Sequence, residues 1–324
     1  MSSPGPHVLI LSPGSKVALT RALAGAVATR DGRLVAWEHD ALSPAASFCA
    51  ERVDGGPIED AAAADGLLAW CRHAGIRLVV PTRHGDLLTL ARAKETFEAA
   101  GIALAVSAVE TIALCVDKVA THAWLQDRGF PVPEQMSVAA CTGMPGPAFF
   151  PRIAKHPHGS GSRQLLVCRT AADLETLPRD WIVQSVAPGS EFTVNTYATR
   201  EGRCVCEIPH ERLLVSEGEV VRGRTARLSP LMEIARRITE SLPGARGPLN
   251  IQIFWDATAR SATVIEINPR FGGGYPLAHE AGGRFVDWLL QEYIDGRSPP
   301  RCDAWDDRLA MVRFREAVFF RDAP

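Results

Sequence analysis

The sequence predicts two kinds of fold in one chain: an N-terminal α/β domain on a parallel sheet, then an α+β half with largely antiparallel sheets. Three observations predict it. Short apolar runs alternate with helical patterns up to residue 105, the stretch GFPVP at 129–133 interrupts the chain, and strand-like runs dominate beyond it. At 324 residues the chain suits two domains or three intimate subdomains, and we place them at residues 1–114, 115–186 and 187–324.

The run HVLIL at 7–11 reads as the first strand and 17–28 as the helix that follows, with a second strand at 34–37. A helical pattern at 61–73 leads into RLVVP at 77–81, and another at 87–100 leads into 102–105. Such alternation with short loops implies a parallel sheet covered on both faces. Ligands bind such sheets at the carboxyl ends of the strands, so the loops at 12–16 and 81–86 are candidate site loops. Neither holds GxGxxG, and GxxxxGK[ST] occurs nowhere, which removes the main support for dinucleotide-binding and P-loop folds. Gly14 either closes a tight turn or opens an anion site at a helix N-terminus, and both readings stand.

After a helix at 118–128, strands are expected at 149–155, 165–168, 181–186, 191–199 and 204–210. An amphipathic helix at 231–242 precedes two more at 250–255 and 263–268, and 311–319 reads as a last strand at an edge of the second domain.

Apolar residues make up 46%, charged residues 22%, and the net charge is -2, the composition of an ordinary enzyme with no footprint for a polyanion. No Lys/Arg block points to nucleic acid, and no apolar run approaches the roughly 20 residues that span a bilayer. The N-terminal tail lacks a basic n-region and a cleavage site, so a soluble, cytoplasmic protein is expected. Eight cysteines without a CxxC pair read as reduced, mostly buried thiols.

The sharpest chemical feature lies near the C-terminal end. Alternation in TVIEIN at 263–268 puts Glu266 and Asn268 on one face, Ile265 and Ile267 on the other, and NIQI at 250–253 does the same for Asn250 and Gln252. A turn centred on Ala259 would set Gln252 opposite Glu266 and Asn250 opposite Asn268, so four oxygen-bearing side chains converge. A solvated sheet face would also alternate. Amides around one carboxylate suit Mg²⁺ better, since this hard ion takes one or two carboxylates and completes its shell with water and phosphate oxygens. The following PRFGGG at 269–274 adds the Arg270 guanidinium and a glycine backbone beside it. A second glycine-bearing run, KHPHGSGS at 155–162, presents a cation and a small-residue loop that could close on phosphate, or simply a hairpin turn.

These features occur in a definite order: Asp117 and Lys118, a helix ending in GFPVP, Lys155 with its Gly/Ser loop, QSVAPGSE at 184–191, then Gln252 with EINPR at 266–270. That succession resembles the ATP-grasp superfamily, closest to carbamoyl-phosphate-synthase-like members, whose metal motif also uses Gln, Glu and Asn. The resemblance implies an N-terminal parallel-sheet pre-ATP-grasp domain followed by a two-subdomain ATP-grasp fold, with ATP and Mg²⁺ (or Mn²⁺) as cofactors. It implies that Lys118 and Lys155 contact the ATP phosphates and that Gly159, Ser160, Gly161 and Ser162 form a lid. Gln184, Ser185 and Val186 would read the adenine edge through their backbone, and Glu191 would accept the ribose hydroxyls. Gln252, Glu266 and Asn268 would hold the metal, with Arg270 on the transferring phosphoryl group and Arg212 within reach of it. Arg222 and Arg224 are weaker candidates for that phosphate, and His279 and Glu280 for the substrate. Gln252 stands where many members carry a carboxylate, so metal binding without ATP should be weak. The length leaves room for one free-standing module.

The activity so implied is a ligase that activates a small carboxylate as an acyl phosphate and couples it to an amine, releasing ADP and phosphate. Its partners are then small molecules, not nucleic acid or membrane; a homodimer is compatible with the sequence, which names no interface. Two rivals remain: a kinase-like module making carboxy or carbamoyl phosphate, and an ATP-binding regulator without turnover.

Overall fold

The expected helices and strands occur in the expected order, interleaved with strands not foreseen at Glu51–Val53, Gln135–Ser137 and Glu219–Thr225. The computed structural model describes residues 5–141, 146–158, 165–216 and 218–321. The first sheet is wholly parallel, in the order Glu51–Val53, Arg33–Trp37, His7–Leu11, Ile76–Pro81, Ala103–Leu104. Its central strand is buried on both faces. Val8 and Ile10 join a core with Leu19, Leu23 and Val27 of the helix Val17–Ala28, whereas Leu9 and Leu11 join Leu67, Leu90 and Phe97 on the opposite face. Each such leucine contributes roughly 1.5–3 kcal/mol through removal from water. The first of these cores continues into Tyr197, Phe271, Tyr275, Phe285 and Leu289, so the C-terminal part packs directly on the N-terminal domain.

A four-stranded antiparallel sheet follows, in the order Gln135–Ser137, Ile182–Ser185, Arg152–Lys155, Leu165–Cys168. The strand expected from residue 149 begins only at Arg152, because Pro147–Phe149 forms a 3₁₀ turn and Pro151 has no N–H for a ladder.

The third sheet has six antiparallel strands, in the order Ser261–Asn268, Gly247–Asp256, Ser190–Ala198, Cys204–Ser216, Glu219–Thr225, Ala310–Val312. The helix Ser229–Ser241 covers one face through Leu231, Ala235 and Ile238. The last strand does lie at the edge, yet it pairs over Ala310–Val312 only, not over 311–319. Among the described residues all eight cysteines are free, and Cys204 and Cys206 are buried within one strand. No helix among the described residues is long and apolar enough to cross a membrane.

Candidate active site

Cross-strand register assembles the site. The strands Gly247–Asp256 and Ser261–Asn268 pair with Asn250 opposite Asn268 and Gln252 opposite Glu266, as the sequence predicts. The strict alternation does not extend further: the register shifts after Gln252, Ile253 faces Val264, and Ile265 becomes the extra residue of a bulge. On the other side of the same strand, Thr193 lies opposite Gln252 and Asn195 opposite Asn250. Two polar rows therefore cross three strands, Thr193–Gln252–Glu266 and Asn195–Asn250–Asn268. Sequence reasoning misses Thr193 and Asn195. Alternation in FTVN does put them on one face, but which strand lies alongside is a long-range fact.

Asn250 lines the same cavity as Gln252, Glu266 and Asn268, as expected, and has a second part besides. Its side-chain nitrogen donates to the carbonyls of Asn268 at 3.3 Å and Arg270 at 3.0 Å, so it pins the chain as it leaves the hairpin. The glycines that follow are needed for close approach rather than freedom. A Cβ on Gly272 would stand 2.9 Å from the Asn250 amide, and one on Gly274 would stand 2.3 Å from Nε2 of the fully buried His210.

Arg212, Gln252, Glu266, Asn268 and Arg270 all line one cavity of about 180 Å³, together with Thr193, Glu219 and the three glycines. Burial drives the Arg270 guanidinium below its ordinary pKa, against the opposing pull of Glu266 and then Glu219. Its Nη1 donates to the Phe271 carbonyl at 3.0 Å and its Nη2 to Asn268 Oδ1 at 3.4 Å, while buried Nε has no hydrogen-bond partner among the described residues. Arg212 Nη1 donates to Thr193 Oγ1 at 3.4 Å and Nη2 to the Gly218 carbonyl at 3.2 Å. Its Nε lies 3.2 Å from Glu191 Oε1, an ion pair without hydrogen-bond geometry. Burial raises the Glu191 carboxyl, opposed by Arg212 and reinforced by Glu266.

Lys155 ends its strand 7% exposed, and burial lowers its ammonium to about 8, with Glu266 pulling it up and Lys118 pushing it down. Burial also lowers Lys118, opposed by Glu266 and Asp117. Lys118 stands first in its helix because Asp117 caps it, accepting from the Val119 and Ala120 amides at 2.8 and 3.0 Å. The Lys118 amide donates to the Pro157 carbonyl at 3.0 Å, which ties this helix to the loop after Lys155. Both lysines and Arg270 thus share one carboxylate, Glu266. The predicted lid residues Gly159, Ser160, Gly161 and Ser162 lie outside the described residues.

Gln184 is buried within the four-stranded sheet, opposite Gln135 on one side and Ile153 on the other, and its side-chain nitrogen donates to Gln135 Oε1 at 2.6 Å. Ser185 is bound at both ends to Glu134, its amide donating at 3.0 Å and its hydroxyl accepting at 3.1 Å, and Val186 is exposed.

The weaker candidates separate. Arg224 pairs with Glu211 at 3.2 Å, and neither it nor Arg222 lines the cavity. His279 and Glu280 line a second, larger cavity of about 860 Å³ that meets the first at Glu219, Gly272 and Gly273. His279 is held at 3.0 Å from the Tyr275 hydroxyl, and burial lowers its pKa. As for Gly14, its φ of +52° is that of a turn, and its amide donates to Glu38 at 2.9 Å, so a carboxylate of this chain takes the donor an external anion would need.

Comparisons with known proteins bear on the fold and the family. A family model described as an ATP-grasp domain matches residues 115–274, and one described as a PylC-like N-terminal domain matches 8–105. No curated protein matches the sequence. Among solved structures, pyruvate carboxylase from Rhizobium etli is 19% identical with a TM-score of 0.70; the match covers 91% of this chain but 29% of that one. N5-carboxyaminoimidazole ribonucleotide synthetase from Thermotoga maritima is 17% identical with a TM-score of 0.68, covering 91% and 78%. L-amino acid ligase from Bacillus licheniformis is 17% identical with a TM-score of 0.69, covering 92% and 78%. At such identities the likeness is one of fold.

Proposed function

From a chain that belongs to the ATP-grasp superfamily, we propose the chemistry of a carboxylate–amine ligase: ATP activates an acid as its acyl phosphate, and an amine displaces the phosphate. The observation that carries this reading is the convergence of Arg212, Gln252, Glu266, Asn268 and Arg270 on one cavity, with Lys118 and Lys155 in electrostatic reach of Glu266. An ATP-binding regulator has little use for that full set. The solved neighbours include an L-amino acid ligase, which supports the same class.

Gln252, Glu266 and Asn268 would hold the divalent cation. Among the described residues no three His, Cys, Asp or Glu side chains gather, and one carboxylate with two amides suits an ion that takes its other oxygens from water and phosphate. When bound, Mg²⁺ or Mn²⁺ neutralises phosphoryl oxygens as a Lewis acid. Lys118 and Lys155 place the phosphates of ATP, and Arg270 bears on the γ-phosphoryl group as its charge spreads in the transition state. Arg212, steadied by Thr193 and Glu191, faces the same volume. Glu191 accepts the ribose hydroxyls, and the backbone of Gln184, Ser185 and Val186 reads the adenine edge; Gly159, Ser160, Gly161 and Ser162 cover the phosphates. A carboxylate oxygen attacks the γ-phosphorus, the bond to the β–γ bridging oxygen breaks, and ADP leaves. The amine nitrogen then attacks the acyl carbon, the C–O bond to phosphate breaks, and the ammonium proton passes to solvent. Holding the reactants in line supplies most of the rate.

The test is ADP release and adduct formation over a panel of acids and amines, comparing wild type with Glu266→Gln. Turnover that needs both an acid and an amine and disappears in the variant supports a ligase. Turnover on bicarbonate with no organic adduct would instead favour a carboxyphosphate-forming module, and tight ATP binding without turnover on any mixture would favour a regulator.

A further inference from the structure

The larger cavity carries information about which acid is used, given the ligase reading above. It is bounded by segments distant in sequence: the start of the helix Val17–Ala28, Pro44 and Phe48, the helix Tyr275–Glu280, and the chain from Met311 onward. Its walls are largely apolar, with Phe48, Pro276 and Met311 among them. At about 860 Å³ it falls in the range that holds whole organic ligands, roughly 300–1,000 Å³. Bicarbonate would leave nearly all of it to water.

Among the described residues two cations of this cavity make no side-chain hydrogen bond and no ion pair, the exposed Arg315 and the partly buried Lys16. Arg313 is bound to Glu219 and to the Gly273 carbonyl, and Arg21 pairs with Glu316 at 3.3 Å while lying over the Phe48 ring. Lys16 is partly buried, lines the cavity, and among the described residues makes no side-chain hydrogen bond and no ion pair. Burial lowers its ammonium, and the next cause is repulsion from Arg270, which places it within electrostatic reach of the guanidinium assigned to the phosphoryl group; Glu219, Glu38 and Asp86 oppose the shift more weakly, none of them in an ion pair with it. A half-desolvated ammonium whose carboxylates act only at a distance is costly, and an incoming carboxylate in direct contact reduces that cost.

We propose that Lys16 is the docking group for the carboxylate to be activated, and that the acid carries an apolar body seated in the larger cavity. Lys16 is then a positioning and specificity residue, contributed by the N-terminal domain to a reaction centred on the C-terminal sheet. The body reaches away from the small cavity, and the carboxylate lies at the junction where Lys16 and Arg270 act together.

Two measurements test this separately from the ligase reading. Binding of 3-phenylpropionate and of acetate is followed by saturation-transfer NMR in the presence of a non-hydrolysable ATP analogue, in wild type, Lys16→Met and Lys16→Arg. ADP release is measured in parallel over bicarbonate, acetate and aryl- or alkyl-bearing acids with an amine mixture. The expected result is that 3-phenylpropionate binds better than acetate, that Lys16→Met weakens it roughly 10- to 100-fold, and that Lys16→Arg restores part of the loss. For any acid turned over, Lys16→Met should raise its KM while the KM for ATP stays fixed. Equal binding of the two acids, binding that survives Lys16→Met, or an effect confined to the KM for ATP would overturn the proposal. Preference for bicarbonate in turnover would overturn it while leaving ATP-grasp catalysis intact. Absence of turnover on every acid would count against the ligase reading, and the binding arm would still decide the role of Lys16.

Discussion

The two adjoining cavities are built in opposite ways. The small one is made by adjacent strands whose register fixes every polar group: Glu266 opposite Gln252, Gln252 opposite Thr193, and Asn250 holding the exit of the hairpin. The large one is made where separate segments meet, with a largely apolar wall and a partly buried lysine that makes no ion pair among the described residues. A ladder tolerates little drift, because slipping by one residue reverses the facing of every side chain. Segment junctions can change size without disturbing a sheet. The proposed chemistry thus rests on strand register, and the proposed selectivity on a junction of segments.

Breaking the small cavity should have the largest effect. Glu266→Gln removes one of its two carboxylates, the one that favours the charged forms of Lys118, Lys155 and Arg270 together; kcat should fall by roughly 100-fold or more, with the fold retained by circular dichroism. If turnover survives, the reacting phosphoryl group is bound elsewhere.

Gly274→Ala should come next. The added Cβ meets the buried His210 ring, and overpacking of this kind costs about 1–3 kcal/mol. Chemical denaturation should show that loss, and His210→Ala in the same chain should recover part of it. Full stability in the single variant would mean that the loop is not seated as described.

A smaller effect sharpens the contrast from the other side. Arg313→Ala frees the C-terminal segment from Glu219 and Gly273 and should change KM for the acid several-fold, about 3- to 10-fold by the loss of a charge-assisted bond at a partly exposed site. Its kcat should stay near wild type, as steady-state kinetics with a saturating acid would show.

The pH dependence separates the same two regions. In the free protein Lys155 loses its charge as pH rises through about 8, because burial favours the neutral amine. Nucleotide phosphates favour the charged form, so the Kd for ATP should rise with pH above that point, and Lys155→Arg should remove the inflection. The sign for stability is the reverse: between about 8 and the ordinary value of 10.5 the unfolded chain binds the extra proton, so this group adds stability as pH rises through that window.

Least affected should be Asp117→Ala, which removes a cap at the start of the Lys118 helix. It should lower stability by about 1 kcal/mol, measurable as a shift in the denaturation midpoint.

By itself the sequence determined the parallel sheet of the N-terminal domain, the hairpin register and the ordered motifs, because each rests on local periodicity. The run HVLIL, alternating with helical patterns, reads as a strand of a sheet covered on both faces, and alternation around a short turn sets Glu266 opposite Gln252. Tertiary structure alone decided that Thr193 and Asn195 extend the polar rows and that Asn250 is a pin. It also decided that Ile265 bulges, that Glu191 pairs with Arg212, and that Lys16, with no ion pair among the described residues, stands beside a cavity closed by residues near the other end of the chain. These are contacts between segments far apart in sequence. No spacing rule encodes them, and they form only when burial of the shared core brings those segments together.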